Sequence, residues 1–147
     1  MRSAECGLDE FAQDINRAIT QLTAMERAII AALPKGAAAG AAVLLQDAER
    51  LVPRRTGALA ASAFQEPVDH DLTQATHRAG FRKFYALPVD RGHPIRTQRG
   101  GPVVGRARAA RFMSDPVQRL RKGKIAKAVT ETISADVAQE LRRFYGR

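Results

Sequence analysis

Apolar residues at helical spacing occupy both ends of the chain, and this pattern constrains the fold more than any other feature of the sequence. Pro34 interrupts the first run, because a proline within a helix removes a hydrogen bond and clashes with the preceding turn. We therefore expect two amino-terminal helices, the second of which ends at Pro53. The spacings of three and four residues over residues 8–33 predict one apolar stripe, formed by Leu8, Phe11, Ile15, Ala18, Ile19, Leu22, Met25, Ile29 and Leu33.

A second helical run begins near residue 114 and extends almost to the last residue. Ser114 offers a capping side chain, and Pro116 follows in the first turn, which is typical of a helix start. Apolar residues at helical spacing then continue to Phe144, and we expect Gly123 to loosen the helix early. The pattern predicts a long carboxy-terminal helix.

The centre of the chain has turn residues instead of a helical period. Residues 61–68 and 72–80 fit two short strands around a polar turn, and residues 84–89 fit either a short helix or a strand. Helices and strands in separate parts of a chain indicate an α+β fold. The predicted architecture has two amino-terminal helices, a small antiparallel sheet with a long basic loop, and the long carboxy-terminal helix packed on the sheet.

The length of 147 residues fits one domain, so we predict that residues 1–147 form a single domain with a mobile start over residues 1–7. The longest stretch poor in charge, residues 36–46, is short and alanine-rich, so we expect no membrane-spanning segment and no membrane partner. The chain has a single cysteine, Cys6, and no basic-then-apolar leader. We therefore expect synthesis in the cytoplasm.

Arginine dominates the charge of the chain, which has 24 Lys and Arg against 15 Asp and Glu and a net charge of +9. Two explanations remain open: a GC-rich genome, or contact with an acidic partner or nucleic acid. The glycine- and proline-rich residues 91–111 are the least regular stretch, and we interpret them as a flexible partner or assembly loop. Its candidate contact residues are Arg91, Arg96, Arg99, Arg106, Arg108 and Arg111.

The sequence predicts no catalytic, cofactor-binding or metal-binding residues. His70, His77 and His93 lack the converging ligands that a metal site needs, and Cys6 has no positioned base. The glycine-rich residues 100–106 lack the Gly-Lys-Ser/Thr ending of a phosphate-binding loop. We therefore predict that the protein is not an enzyme.

Three blocks of sequence, in this order, resemble a phage protein family. Residues 48–59 resemble a helix end followed by a Pro-x-x-Thr-Gly-x-Leu turn, and residues 84–93 resemble a Tyr-Ala-x-x-Val-Glu-x-Gly-Thr segment. Residues 110–113 and the helix after them resemble an aromatic-then-helix ending. Over residues 8–145 the set is similar to the tail-component, or neck, proteins of long-tailed phages, the family named for gene product ten of a lambdoid phage. The motif residues are Pro53, Thr56, Gly57, Leu59, Tyr85, Val89 and Gly92.

These motif residues have physical roles of their own. Pro53 ends a helix, and Thr56 and Gly57 make a sharp turn into the sheet. Tyr85 and Val89, four residues apart, would share one side of a short helix that packs on the sheet, with Gly92 as its left-handed cap. Leu59 is expected in the core. The chain departs from the family pattern where Arg54 and Arg55 replace an acid and where Asp90-Arg91-Gly92-His93 replaces Glu-x-Gly-Thr.

The resemblance implies a structural virion protein made in the bacterial cytoplasm and encoded by a phage or prophage. It would join head to tail, or complete the tail, as a ring of identical subunits, with a monomer as one option for the isolated chain. The implied neighbours are connector or head-closure proteins and tail terminator or tube proteins. We expect residues 91–111 to become ordered on assembly against an acidic neighbour.

The alternative function is that of a small basic nucleic-acid-binding protein. The arginine-rich residues 91–111 support it, since phosphate contacts give sequence-independent, salt-sensitive affinity. No recognition helix, finger or stacking platform accompanies them, and the aromatic fraction is only 5%. Contact with DNA would therefore be non-specific.

Overall fold

The computed structural model describes residues 2–145, with side-chain surroundings from residue 10 onward. The predicted α+β class is confirmed. In chain order the elements are α1 (Arg2–Leu51), β1 (Ala63–His70), β2 (Ala75–Phe81), α2 (Ala86–Arg91), β3 (Pro94–Arg96), β4 (Val103–Arg106), α3 (Ser114–Leu120) and α4 (Lys124–Tyr145). The expected mobile start, residues 1–7, and Cys6 lie outside the residues whose side chains are described.

One continuous helix, α1, replaces the two predicted amino-terminal helices. Pro34 lies inside α1, so the predicted break there is wrong. Packing explains the difference, because α4 runs along α1 across this point. Lys35 forms an ion pair with Asp136, and Gly36 lies against Ile133. Tertiary contact overrides the local penalty of a proline in a helix, which is about 3 kcal/mol.

The face of α1 that packs on α4 consists of small residues. We call it the inner face, and its buried members follow a spacing of four: Ala28, Ala32, Gly36 and Gly40. The absence of side chains at the two glycines lets the helices approach closely, since a Cβ on Gly40 would lie 2.8 Å from Val129 Cγ2. The expectation that the carboxy-terminal helix packs on the sheet is therefore wrong, because α4 packs mainly on α1.

The first hairpin, β1 and β2, is antiparallel and also packs on α1. Gln65 Nε2 donates a hydrogen bond to the backbone oxygen of Ala38 at 2.9 Å. At the turn, Asp71 Oδ1 accepts hydrogen bonds from the backbone N–H groups of Thr73 and Gln74, at 2.7 and 2.8 Å. These bonds, the one from Thr73 first, hold the pKa of Asp71 below its usual value. The hairpin predicted for residues 61–80 is confirmed.

The second hairpin, β3 and β4, lies within residues 91–111, which the sequence predicts as an irregular loop. Its two strands form a separate sheet, so the fold has two two-stranded sheets instead of one small sheet. Arg96 Nη1 donates a hydrogen bond to the backbone oxygen of Gly101 at 2.6 Å, across the loop that joins the strands. We call residues 91–111 the basic hairpin; its mobility stays a prediction.

The predicted carboxy-terminal helix is divided into α3 and α4. The division falls at residues 121–123, where Gly123 donates its N–H to the backbone oxygen of Leu120 at 3.1 Å. Glycine is a poor helix former because it loses the most backbone freedom on ordering. The sequence therefore identifies the weak point, and the structure shows a full break there.

By length and composition alone, α1 could cross a membrane. Its span Glu10–Leu51 contains an 18-residue window of mean hydropathy 1.8, of which 22% is buried. The expectation that no segment is long and apolar enough is therefore wrong by this measure. A single such helix is weak evidence for a membrane location, because core helices of soluble proteins pass the same test.

Candidate functional site

The three blocks that carry the family resemblance meet in one apolar cluster, which we call the motif cluster. Its buried centre consists of Val52, Leu59 and Phe112. The rings of Phe112 and Phe81 meet edge to face with their centroids 5.2 Å apart, which joins the cluster to the end of β2. The half-buried members around the centre are Ala60, Phe81, Tyr85, Ala86, Val89 and Met113.

The first block forms the exit from α1. The helix ends at Leu51, and Pro53 follows outside it. Thr56 Oγ1 accepts a hydrogen bond from the N–H of Ala58 at 3.4 Å. Gly57 has a φ of 70°, a conformation that residues with a Cβ adopt at a cost. This turn brings Leu59 back into the motif cluster.

The second block forms α2, which settles the open choice between helix and strand at residues 84–89 in favour of a helix. Tyr85 immediately precedes the helix, and Val89 lies within it; both contact the motif cluster. Gly92 ends α2 with a φ of 76° and a ψ of 158°, so it has positive φ but not the predicted left-handed helical cap conformation. A Cβ there would lie 2.6 Å from the backbone oxygen of Ala107.

The third block is tied to the second through Asp90, which sequence reasoning did not single out as a site residue. Its side chain is buried, with 6% of the residue exposed. Asp90 Oδ1 accepts hydrogen bonds from the backbone N–H groups of Met113 at 2.8 Å and Ser114 at 3.3 Å. Asp90 therefore caps the start of α3, whereas Ser114 was the predicted capping residue. The signal in the sequence was a carboxylate at the glutamate position of the second block.

Backbone hydrogen bonds close the base of the basic hairpin. The N–H of Ala110 donates to the oxygen of Val89, and the N–H of Arg111 donates to the oxygen of Asp90, both at 3.0 Å. Arg111 has a φ of 50°, which is uncommon for a residue other than glycine. The hairpin is thus an excursion that leaves the body after α2 and returns just before α3.

The six candidate arginines are distributed along the basic hairpin. Arg91 ends α2, Arg96 ends β3 and Arg106 ends β4. All six side chains are exposed, and within residues 10–145 none of them forms an ion pair. The segment contains no Asp or Glu. The segment is therefore an exposed surface of positive charge.

The predicted apolar stripe of α1 is largely exposed. Large side chains remain in contact with solvent over the amino-terminal part of α1, and we call them the outer stripe: Phe11, Ile15, Ile19, Leu22, Met25 and Ile29. Leu22 is 66% exposed and Phe11 is 64% exposed. The spacing of residues 8–33 predicted this stripe, but it did not indicate that the stripe would be exposed.

No metal-binding arrangement is found among the described residues. No group of three or more His, Cys, Asp or Glu side chains within them is placed to hold a metal ion. A groove between α1 and the end of α4 is lined mainly by apolar side chains such as Ile19, Leu141 and Phe144. Comparison of the chain with protein-family models, curated proteins and solved structures finds no significant match.

Proposed function

We propose that this chain is a structural protein of a bacteriophage or prophage, located in the neck or upper tail of the virion. It joins the head to the tail, or completes the tail, as a ring of identical subunits, and it has no enzymatic role. The observation that carries the proposal is the convergence of the three resembling blocks. Blocks that lie up to 60 residues apart in sequence pack into one motif cluster through Leu59, Val89 and Phe112.

This convergence supports the proposal because a family motif made of three separate blocks is expected to form one unit in space. The blocks contact each other through apolar packing, through the Asp90 carboxylate and through the backbone bonds at the base of the basic hairpin. The resemblance therefore falls on a coherent folding unit.

The surface area of the chain supports a role within an assembly. The accessible surface is 11247 Å², whereas a compact monomer of 16 kDa exposes about 7,400 Å². The excess comes with exposed apolar side chains on α1, on α2 and on the basic hairpin, and with Phe84 just before α2, which is 92% exposed. Subunits that bury such surfaces against neighbours are expected in rings.

Inactivation of the gene in its own phage or prophage genome tests the proposal. Induced cells should accumulate filled heads and separate tails, visible by negative-stain electron microscopy, and a plasmid copy of the gene should restore joined particles. Mass spectrometry of purified virions should detect the chain. Normal infectivity without the gene, or intact virions that lack the chain, would exclude the proposed role.

The second candidate function is non-specific binding of nucleic acid, and the exposed arginines of the basic hairpin favour it. If all six contacted phosphates, the logarithm of the binding constant for duplex DNA would fall with the logarithm of salt concentration with a slope of about −5. Fluorescence titration of labelled duplex DNA at several salt concentrations measures this slope. Tight binding at physiological salt would favour this function over the assembly role.

A further inference from the structure

The outer stripe of α1 is bordered by negative charge. At 3.6 residues per turn, Asp14 and Glu26 lie within about 80° of the centre of the stripe, whereas Arg17 and Arg27 lie more than about 130° away. Asp14 also contacts Arg17 at 3.8 Å, but both side chains are about three-quarters exposed, and such pairs are weak. The stripe is therefore an apolar surface with an acidic border.

The basic hairpin has the complementary composition. Ile95, Val103 and Val104 are each about half exposed or more. Arg96 and Arg106 lie on the same two short strands. The two short strands of the hairpin therefore carry exposed apolar side chains together with basic ones.

These two surfaces lie at opposite ends of the molecule. The exposed residues 10–20 belong to the first half of α1. The hairpin instead leaves the body next to the motif cluster, whose member Val52 lies just beyond the end of α1. Between Thr20 and Leu51 the helix extends for roughly 46 Å. Because α1 is continuous, the two surfaces cannot meet within one chain.

We propose that the outer stripe of one copy binds the basic hairpin of a second copy, in a head-to-tail contact. This contact rests on the proposed function, since it would be the interface that builds the ring. Two different surfaces of the same chain produce a heterologous interface, which closes into a ring when the rotation between copies allows it. The acidic neighbour that the hairpin needs is thus another copy of this chain.

The charge distribution identifies the occupant as a second copy. Residues 1–29 carry three arginines and five carboxylates, a net charge of −2, whereas the rest of the chain has a net charge of +11. Opposite charges at the two ends favour head-to-tail contact and oppose pairing of two basic bodies side by side. The surface excess of about 3,800 Å² is ample for two standard contacts, which bury about 800 Å² on each partner.

Two variants, each altered on one surface, test the contact. Ile15→Asp with Leu22→Asp alters the outer stripe, and Arg96→Glu with Arg106→Glu alters the basic hairpin. The matched control, Gln13→Asp with Thr20→Asp, places the same charges on the opposite side of the same helix segment. Circular dichroism checks folding, and light scattering coupled to size exclusion measures mass at low and high protein concentration.

The native chain and the control should form species larger than the 16.0 kDa monomer. Each altered variant alone should associate at least about 30-fold more weakly, as expected when central contacts are lost. An equimolar mixture of the two variants should form a complex of twice the monomer mass and nothing larger, because each variant retains one working surface.

Other results would overturn the contact in distinguishable ways. Association of the hairpin variant alone at native strength would indicate pairing of two α1 helices. If the stripe variant associated as strongly as the native chain, the ring would still form, but its interface would lie elsewhere on the molecule. A native chain that stays monomeric at every concentration would exclude the contact, while the gene inactivation still tests the virion role. A further outcome would assign the stripe to a lipid surface. In that case the native chain would not self-associate but would float with phosphatidylglycerol vesicles, and the stripe variant would not float with them.

Discussion

The motif cluster and the amino-terminal half of α1 differ in how they use apolar residues. In the motif cluster, Phe112 is 1% exposed and Leu59 is 4% exposed, and a buried carboxylate completes the packing. In the first half of α1 no residue from 10 to 26 is buried, and the large side chains of the outer stripe face solvent. The difference teaches that apolar residues in one region build a core, whereas in the other they stay exposed, and the proposed contact between copies would cover them.

The largest expected effect comes from removing the central ring of the motif cluster. Phe112→Ala should lower the free energy of unfolding by about 3–5 kcal/mol, because it leaves a cavity where the side chain is fully buried. Phe84→Ala is the control, since that ring is 92% exposed and should change stability by less than about 0.5 kcal/mol. Urea denaturation of both variants measures the difference. Equal losses of stability in the two variants would contradict the difference in burial between Phe112 and Phe84.

Replacement of the proline inside α1 should stabilise the protein. Pro34→Ala restores a backbone donor and removes a steric clash in a helix that continues through this position. We expect a gain of about 1–3 kcal/mol, measured by thermal and urea denaturation. A matched change, Pro53→Ala, lies outside the helix and should yield far less. A loss of stability in Pro34→Ala would indicate that the helix is broken there after all.

Removal of the Asp90 carboxylate should weaken the start of α3. Asp90→Ala leaves the N–H groups of Met113 and Ser114 without their acceptor, so we expect a loss of about 1–3 kcal/mol. Asp115→Ala is the control, because that carboxylate lies in the same first turn but is exposed. Its loss should cost at most about 1 kcal/mol. If the two variants were equally unstable, the cap would not depend on Asp90.

The inner face of α1 allows a smaller and sharper test. In Gly36→Ala the new Cβ would lie 2.6 Å from Ile133 Cγ1, so α4 must shift or repack. We expect a net loss of about 1 kcal/mol, because the crowding outweighs the better helix propensity of alanine. Gly123→Ala meets no atom within 4 Å and should be neutral or stabilising. Thermal melts that rank the two variants in reverse order would contradict the close approach of the helices.

The smallest effect belongs to the turn of the first hairpin. The pKa of Asp71 in the folded protein is below its unfolded value, because Thr73 and Gln74 donate hydrogen bonds to the carboxylate. The native chain should therefore be slightly more stable than Asp71→Ala above the unfolded pKa. This difference should disappear as the pH falls through the folded pKa. Thermal melts of both proteins between neutral and acid pH measure it, and a difference that grows in acid would contradict this assignment.

Much of the fold can be read from the sequence because it depends on local patterns. The first hairpin and the end of α1 before Pro53 follow from short-range turn chemistry. The continuity of α1 could not be predicted, since it depends on α4, which lies about 100 residues further along the chain and contacts Gly36 and Lys35. Local rules assign a break to Pro34, and only tertiary packing reverses it.

The candidate site shows the same limit. The arginines of residues 91–111 were identified by composition. The hairpin that positions them depends on backbone pairing of Ile95 with Gly105, and the sequence pattern does not predict this pairing. Asp90 was missed because its partners, at Met113 and Ser114, lie more than 20 residues away. The apolar stripe of α1 was predicted from its spacing, but its exposure depends on which residues of α1 pack against α4, and the spacing does not show this.

The closed base of the basic hairpin allows the length of the hairpin to change during evolution. The bonds from Ala110 to Val89 and from Arg111 to Asp90 fasten both ends of the excursion to the body. Doubling the length of a loop between fixed ends costs only about 0.6 kcal/mol in closure entropy. The tip around Gly100 can therefore gain or lose residues while the body keeps its fold, and it is a suitable place to insert a peptide epitope.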